Sequence, residues 1–251
     1  MTYRFIILAA GKGTRMKQDI PKVLTPIGGK PILQHLYESV TASDLDGAPI
    51  VVIGPDQSEM CAQWGGECEY VVQHEQLGTA HAVKACRDTV TDVDAIIVLY
   101  GDHPFVSVQT LRNLAQLYER DKSVLSMITT SVSSFEQWPI YYHWGRIIRD
   151  KHGHVMAIRE YKDAMESEIA ITEVNPAFYC FDARWLWDNI GQVKNFNAKG
   201  EYYLTDLIEL AVAQGHEIAT LEIPPEEAVG INTQEERAIA EDLLAKRHVQ
   251  T

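Results

Sequence analysis

Residues 8–24 read LAAGKGTRMKQDIPKVL: two glycines (Gly11, Gly13) and four cations (Lys12, Arg15, Lys17, Lys22), with Asp19 the sole acid. The segment follows directly on an apolar run that ends at Leu8. Apolar strand, then glycines, then cations is a phosphate cradle. Glycine lets backbone N–H groups approach an anion with no Cβ in the way, and the planar fork of Arg15 grips phosphate oxygens. Lys22 follows Pro21 on extended chain that returns one more cation to the same place. A second chemical group is Asp102, just beyond the apolar run Ala95–Leu99. A carboxylate there suits magnesium, which takes oxygen ligands and keeps several waters. A bare Gly-Asp is equally a turn or a helix cap.

Two familiar phosphate loops are excluded. A P-loop needs Gly, four residues and then Gly-Lys-Ser/Thr, which GKGTRMKQ does not supply. The dinucleotide fingerprint needs a third glycine where Met16 stands, and a ribose-binding acid about twenty residues on, where Pro31 sits.

The positioning elements follow from apolar spacing. Arg4–Leu8, Ile50–Ile53, Tyr70–Val72 and Ala95–Leu99 read as short buried strands. Ile32–Val40, Thr79–Val90 and Thr110–Tyr118 carry helix-period apolar positions. That alternation predicts an α/β, Rossmann-like fold, with a mostly parallel central sheet and helices on both faces. Ligands then bind at the carboxyl ends of the strands, where both the opening loop and Gly101-Asp102 fall. From residue 124 strands dominate: Val124–Ser131, Arg146–Arg149, Val155–Ile158 and Glu173–Cys180. A helix at Tyr203–Ala213, a strand at Glu217–Ile223 and a helix at Glu235–Ala245 complete the chain. The organisation expected is one domain over 1–251, with a first half at 1–123, a smaller β-rich lobe at 124–232 and a C-terminal helix at 233–251.

Composition bounds the function. The 251 residues are 46% apolar and 23% charged, ample for a core. The net charge of −13 argues against a nucleic-acid surface. No stretch reaches the ~20 apolar residues of a membrane span. Residues 1–30 nevertheless hold six Lys/Arg against one acid. A local cationic segment on an anionic protein is expected where a small anion binds, and on charge alone it is equally a solvated loop that happens to be basic. Cys61, Cys68, Cys86 and Cys180 show no metal-ligand spacing and read as reduced thiols of a cytoplasmic protein.

The opening loop, with PKVL and GGKPIL after it, resembles the signature of the sugar-nucleotidyltransferases. Within these it is most similar to the uridylyltransferase domain of the bacterial bifunctional N-acetylglucosamine-1-phosphate uridylyltransferase/glucosamine-1-phosphate acetyltransferases. QHEQLGTAHAV (73–83), LYGDHPF (99–105), WGRI (144–147), IREYKDA (158–164), EVNPAFY (173–179), NAKGEYYLTD (197–206) and VGINT (229–233) recur in that family's order. The resemblance implies that UTP and a sugar 1-phosphate give a UDP-sugar and pyrophosphate, with Mg²⁺ as cofactor. Arg15, Lys22 and Asp102 would be catalytic. Leu8, Ala9, Ala10, Gly11, Gly13, Lys22, Gln73, Gly78, Thr79, Tyr100, Gly101 and Asp102 would line the nucleotide. Gly145, Glu160, Lys162, Asn175 and Tyr203 would meet the sugar, with Thr205 on the same wall, and Asp102 and Asn232 would ligate the metal. His74, His81 and His103 are read as structural.

The match departs at two places. The family's acceptor loop reads Asn-Thr-Gly where this chain has Asn175-Pro176-Ala177, and an aromatic insert, SFEQWPIYYHW, precedes Gly145. The family's hexapeptide-repeat acetyltransferase domain has no counterpart in the sequence, so neither that activity nor its trimer is expected. A monomer and a dimer both stay open. The expected substrate is N-acetylglucosamine 1-phosphate. The alternatives are dTTP or another sugar phosphate on the same fold, or a nucleotide-sugar sensor without turnover.

Overall fold

The computed structural model describes residues 1–18, 20–57 and 67–249. Asp19 and Cys61 lie outside them. The first half comprises β1 (Tyr3–Leu8), a short hairpin of β2 (Pro26–Ile27) and β3 (Lys30–Pro31), α1 (Ile32–Ala42), β4 (Ile50–Ile53), β5 (Glu69–Val72), α2 (Thr79–Lys84), β6 (Ala95–Tyr100) and α3 (Val108–Asp121). The second half holds β7 (Leu125–Ser131), β8 (Arg146–Arg149), β9 (Val155–Arg159), β10 (Glu173–Val174), β11 (Tyr179–Asp182), α4 (Ala183–Asn189), α5 (Asp206–Ala213), β12 (Ala219–Glu222) and α6 (Gln234–Val249).

The sheet runs β5-β4-β1-β6-β11-β7, with parallel pairing from β5 to β6 and β11 antiparallel between β6 and β7. β12 continues it beside β7 in parallel. The chain walks outward from β1 through β4 to β5, then returns to β6 on the other side of β1. That reversal opens a crevice at the carboxyl ends of β1 and β6.

β1 is apolar on both faces because both are covered. Phe5 and Ile7 pack with Leu33 and Leu36 of α1 and Leu111 and Leu114 of α3. Ile6, on the opposite side, packs with Val83 of α2, Leu186 of α4 and Leu207 of α5. Each such side chain withdrawn from water contributes about 1.5–3 kcal/mol. α3 begins where the Ser107 hydroxyl accepts from Thr110 N–H, and it ends at Lys122 in a left-handed conformation.

Two sequence expectations are corrected. The helix foreseen over Thr79–Val90 ends at Lys84, and the chain tightens into turns in which Cys86, Arg87 and Thr89 donate to carbonyls three residues back. The strand foreseen over Glu173–Cys180 is broken into β10 and β11. Pro176 has no N–H for a ladder, and Ala177 is left-handed at φ +65°. The Asn175 Oδ1 accepts from Ala177 N–H at 2.9 Å and fixes the bulge.

That break divides the sheet. β10 and β11 both lie along β7, but on their other side β11 meets β6 while β10 meets β8. β8, β9 and β10 form an antiparallel lobe. The end of β6 and the start of β8 therefore flank residues 175–177, beside the crevice.

Candidate active site

A cavity of about 610 Å³ occupies the crevice, lined by the 8–15 loop, Lys22, Gln73, Gln76, Gly78, Thr79, Tyr100, Asp102, Lys199, Glu201 and Asn232. Its floor is the opening loop. The Gln76 amide donates to Ala10 O, and the Gln57 amide to Gly11 O at 3.3 Å. With those carbonyls held from behind, no backbone N–H from Gly11 to Thr14 donates an intramolecular hydrogen bond among the described residues. These donors are free for an anion. Gly13 sits at φ +60°, and a Cβ there would come within 2.7 Å of Lys22 Cβ. Glycine is required for the loop to close over Lys22.

Asp102 and Asn232, 130 positions apart in sequence, are joined by backbone. Gly101 N–H donates to Leu8 O at 2.9 Å, and Ile231 N–H donates to Asp102 O at 2.9 Å. The 229–232 segment thus runs beside the end of β6. Glu236 fixes its end by accepting from the N–H groups of Asn232 and Thr233, while Thr233 Oγ1 accepts from Glu236 N–H at 3.2 Å. This reciprocal cap also starts α6. Asn232 Oδ1 then accepts from Lys22 Nζ at 2.8 Å and Arg15 Nη2 at 3.1 Å, and Lys22 forms an ion pair with Asp102 Oδ2. Burial works most strongly against the Asp102 charge, but the ammonium of Lys22, the neighbouring His103 and hydrogen bonding together hold the carboxyl below its usual value.

Gln73 is buried, and its amide N–H groups point to Gly78 O at 3.0 Å and His81 Nδ1 at 3.1 Å. Its oxygen is left as the group for an incoming donor. Gly78 adopts φ +121° and its Cβ position lies 2.5 Å from Tyr202 O, so it too must be glycine. Thr79 Oγ1 accepts from Leu204 N–H at 2.9 Å.

The residues foreseen for a sugar stand differently. Gly145 O accepts from Asn175 N–H at 2.9 Å, and a Cβ on Gly145 would lie 3.4 Å from Glu160 Oε1. The Asn175 side chain is buried and turned inward, with Nδ2 donating to the Tyr179 hydroxyl at 2.7 Å. Burial raises the Glu160 carboxyl above its usual range, against the opposing charge of Lys199. Tyr203 is buried, and its hydroxyl has no partner among the described residues. Lys162 is exposed and does not line the cavity. Glu201 and Lys199 line it instead, as does Gln76; all three lie inside motifs quoted above, but nothing in their spacing singles them out.

The aromatic insert folds over the flank of Asp102. Arg146 is fully buried, 4.4 Å above the Phe135 ring, and donates to the carbonyls of Tyr142 and Ile169 at 2.7 and 3.2 Å. Trp144 meets the His103 ring edge-on at 5.4 Å. The His103 Nδ1–H donates to Ala228 O at 2.9 Å, and burial keeps the imidazole neutral by lowering its pKa.

Among the described residues no helix is long and apolar enough to cross a membrane. The chain is 38% identical to the bifunctional protein GlmU of Brevibacillus brevis and 39% identical to that of a Geobacillus species, each over 96% of this chain. It spans about half the length of these relatives, 51% and 52%. Two solved structures share the fold: a UDP-glucose pyrophosphorylase (TM-score 0.78, 16% identity, 98% of this chain and 100% of that one) and a CMP:2-keto-3-deoxy-manno-octonic acid synthetase (TM-score 0.71, 19% identity, the same coverage). The model of the MobA-like NTP transferase domain matches residues 5–170, more than half of the sequence, and includes the loop, Gln73 and Asp102; the chain belongs to that family.

Proposed function

We propose that the protein is a sugar-1-phosphate nucleotidyltransferase that makes UDP-N-acetylglucosamine and pyrophosphate from UTP and N-acetylglucosamine 1-phosphate. The observation that carries this reading is the convergence on one cavity of free loop N–H groups, Arg15 and Lys22, the Gln73 amide and the Asp102–Asn232 pair. Residues 1–123 would hold the nucleotide and 124–232 the sugar.

A phosphate oxygen of the sugar attacks the α-phosphorus, the α–β bridging P–O bond breaks, and its electron pair leaves with pyrophosphate. No enzyme nucleophile and no proton transfer is required. Catalysis is then positioning and charge stabilisation. The loop N–H groups and Arg15 would hold the β- and γ-phosphates, with Lys22 toward the α-phosphate. The Gln73 oxygen would accept from uracil N3–H. The 2.9 Å bonds from Gly101 and Ile231 keep Asp102 and Asn232 in register with the loop.

The two side-chain oxygens fit magnesium: they already gather around a cation, the Lys22 ammonium. Magnesium uses one or two protein oxygens and takes the rest from phosphates and water. Asp102 and Asn232 would hold it, and when bound it neutralises developing phosphate charge.

A second reading keeps the chemistry and changes the sugar or the base. It is favoured by Asn175, whose amide is engaged with Tyr179 and Ala177 and is not presented to a ligand. The experiment is pyrophosphate release with Mg²⁺, crossing UTP, dTTP, CTP and ATP with a panel of sugar 1-phosphates, with Asp102→Ala as control. Release confined to UTP and N-acetylglucosamine 1-phosphate and lost in the control supports the first reading. Release with another pair moves the substrate. Binding of UTP without release from any pair makes the protein a sensor.

A further inference from the structure

Lys199 lines the same cavity as Arg15 and Lys22 and has no part in the reaction as drawn so far. The turn that carries it is firmly built. Asn197 Oδ1 accepts from the N–H groups of Lys199 and Glu201, each at 3.2 Å, and Ala198 N–H donates to Asp163 Oδ1 at 2.8 Å. Gly200 completes the turn at φ +66°. The following residues are stitched to the segment placed at the base: Tyr202 N–H to Leu77 O at 2.8 Å and Ala80 N–H to Tyr202 O at 2.9 Å. The Lys199 backbone is therefore fixed with respect to Gly78 and Thr79.

Its ammonium is free by comparison. It stands 4.0 Å from Glu201 Oε2 and 5.8 Å from the centre of the Tyr203 ring. Arg15 and Lys22, in contrast, are tied to Asn232 and Asp102. Close by, the Tyr203 hydroxyl and Asp163 Oδ2 are buried with no hydrogen-bond partner among the described residues.

The chemistry asks for a cation on this side. The attacking group is itself a phosphate dianion, and it approaches a triphosphate whose own counter-charges lie in the opening loop. Positive charge beside the acceptor phosphate relieves the repulsion between them. A lysine provides a mobile point charge able to follow that phosphate as it becomes bridging.

Resting on the nucleotidyltransferase reading, we propose that Lys199 binds the acceptor's 1-phosphate and makes the site specific for a phosphorylated sugar over the free sugar. No bond to Lys199 forms or breaks.

The test uses the full chain as wild type, Lys199→Met and Lys199→Arg. Steady-state rates are taken for each substrate with the other saturating. Binding of N-acetylglucosamine 1-phosphate and of N-acetylglucosamine is measured by calorimetry. In K199M the KM for the sugar phosphate rises tenfold or more while the KM for UTP stays within twofold, and K199R recovers part of the loss. Calorimetry shows wild type preferring the phosphorylated sugar and K199M losing that preference. An unchanged sugar-phosphate KM in K199M, or an equal rise for both substrates, overturns the proposal. If wild type releases no pyrophosphate from any pair, the nucleotidyltransferase reading fails and calorimetry alone decides Lys199. A preference for the phosphate that K199M abolishes sustains it, and no preference overturns it.

Discussion

Lys22 forms an ion pair with Asp102 from 80 positions away in the chain, and the same ammonium donates to Asn232 Oδ1 at 2.8 Å. Asp102 and Asn232 are the two residues proposed for magnesium. The lysine and a divalent cation therefore compete for one set of oxygens whenever no triphosphate is present to draw the ammonium away.

That competition is measurable without turnover. Lys22→Met should bind Mn²⁺ in the absence of nucleotide at least tenfold more tightly than wild type, read by the electron-spin signal of the free ion. It should also lose roughly 3 kcal/mol of stability in chelator, since breaking a buried pair strands the Asp102 charge, and regain part of it with Mn²⁺. kcat/KM should fall about 10²–10³-fold for loss of one transition-state cation. An Mn²⁺ affinity no better than wild type would sink the idea of shared oxygens.

Gly78 links the two walls of the cavity. Its φ of +121° excludes other residues, and an added methyl meets Tyr202 backbone at 2.5 and 2.6 Å. The segment carrying Lys199 must then retreat from the one carrying Thr79. Gly78→Ala should cost about 2–4 kcal/mol, from backbone strain and overpacking together. Urea unfolding measures it, and UTP affinity should drop with it. A variant of wild-type stability would mean that the Tyr202 contact yields freely.

How far the site was legible depended on distance along the chain. β1, the glycine loop and Asp102 could be read directly because period, composition and position relative to a strand end are local signals. The break at Asn175–Ala177 was half visible: Pro176 announces a lost N–H, but the left-handed Ala177 does not show in its residue type. Lys162 and Lys199 are both lysines in matching motifs. Which one reaches the cavity is decided by the 197–201 turn and its bond to Asp163. His81 holds the Gln73 amide, a pairing made only when the turn between β5 and α2 folds back. Asn232 could be joined to Asp102 only through the fold, by the bond from Ile231 N–H.

Asp206 opens α5 with its carboxyl raised to about 6, first by burial and then by Glu209, with Asp163 adding to this and Arg159 opposing. Its ordinary value is 3.8. The folded state therefore holds the proton more tightly, and the associated stability is full below about pH 4 and lost as pH rises through about 6. Asp206→Asn removes the penalty. Discounted for partial exposure, the gain should be about 1–2 kcal/mol at pH 7.5 and near zero at pH 4. Urea unfolding at the two pH values tests this; equal effects at both would assign the change to something other than ionisation of the carboxyl.

Ala177 carries backbone strain beside the crevice. It holds φ +65° between β10 and β11, where the sheet parts around the crevice, and the resembling family carries glycine in its place. A left-handed alanine costs about 1 kcal/mol more than a glycine there. The bond to Asn175 Oδ1, with those of Asn175 to Gly145 O and the Tyr179 hydroxyl, holds the bulge in place. Ala177→Gly should therefore stabilise the fold by up to about 1 kcal/mol, less what the freer unfolded chain takes back. It should also widen the range of sugar 1-phosphates accepted, because the turn beside the crevice becomes less fixed. Thermal unfolding and the sugar panel can be run on the same preparation. Gained stability with an unchanged sugar profile would place Ala177 in the fold alone. A changed profile would make this bulge a determinant of which sugar is taken.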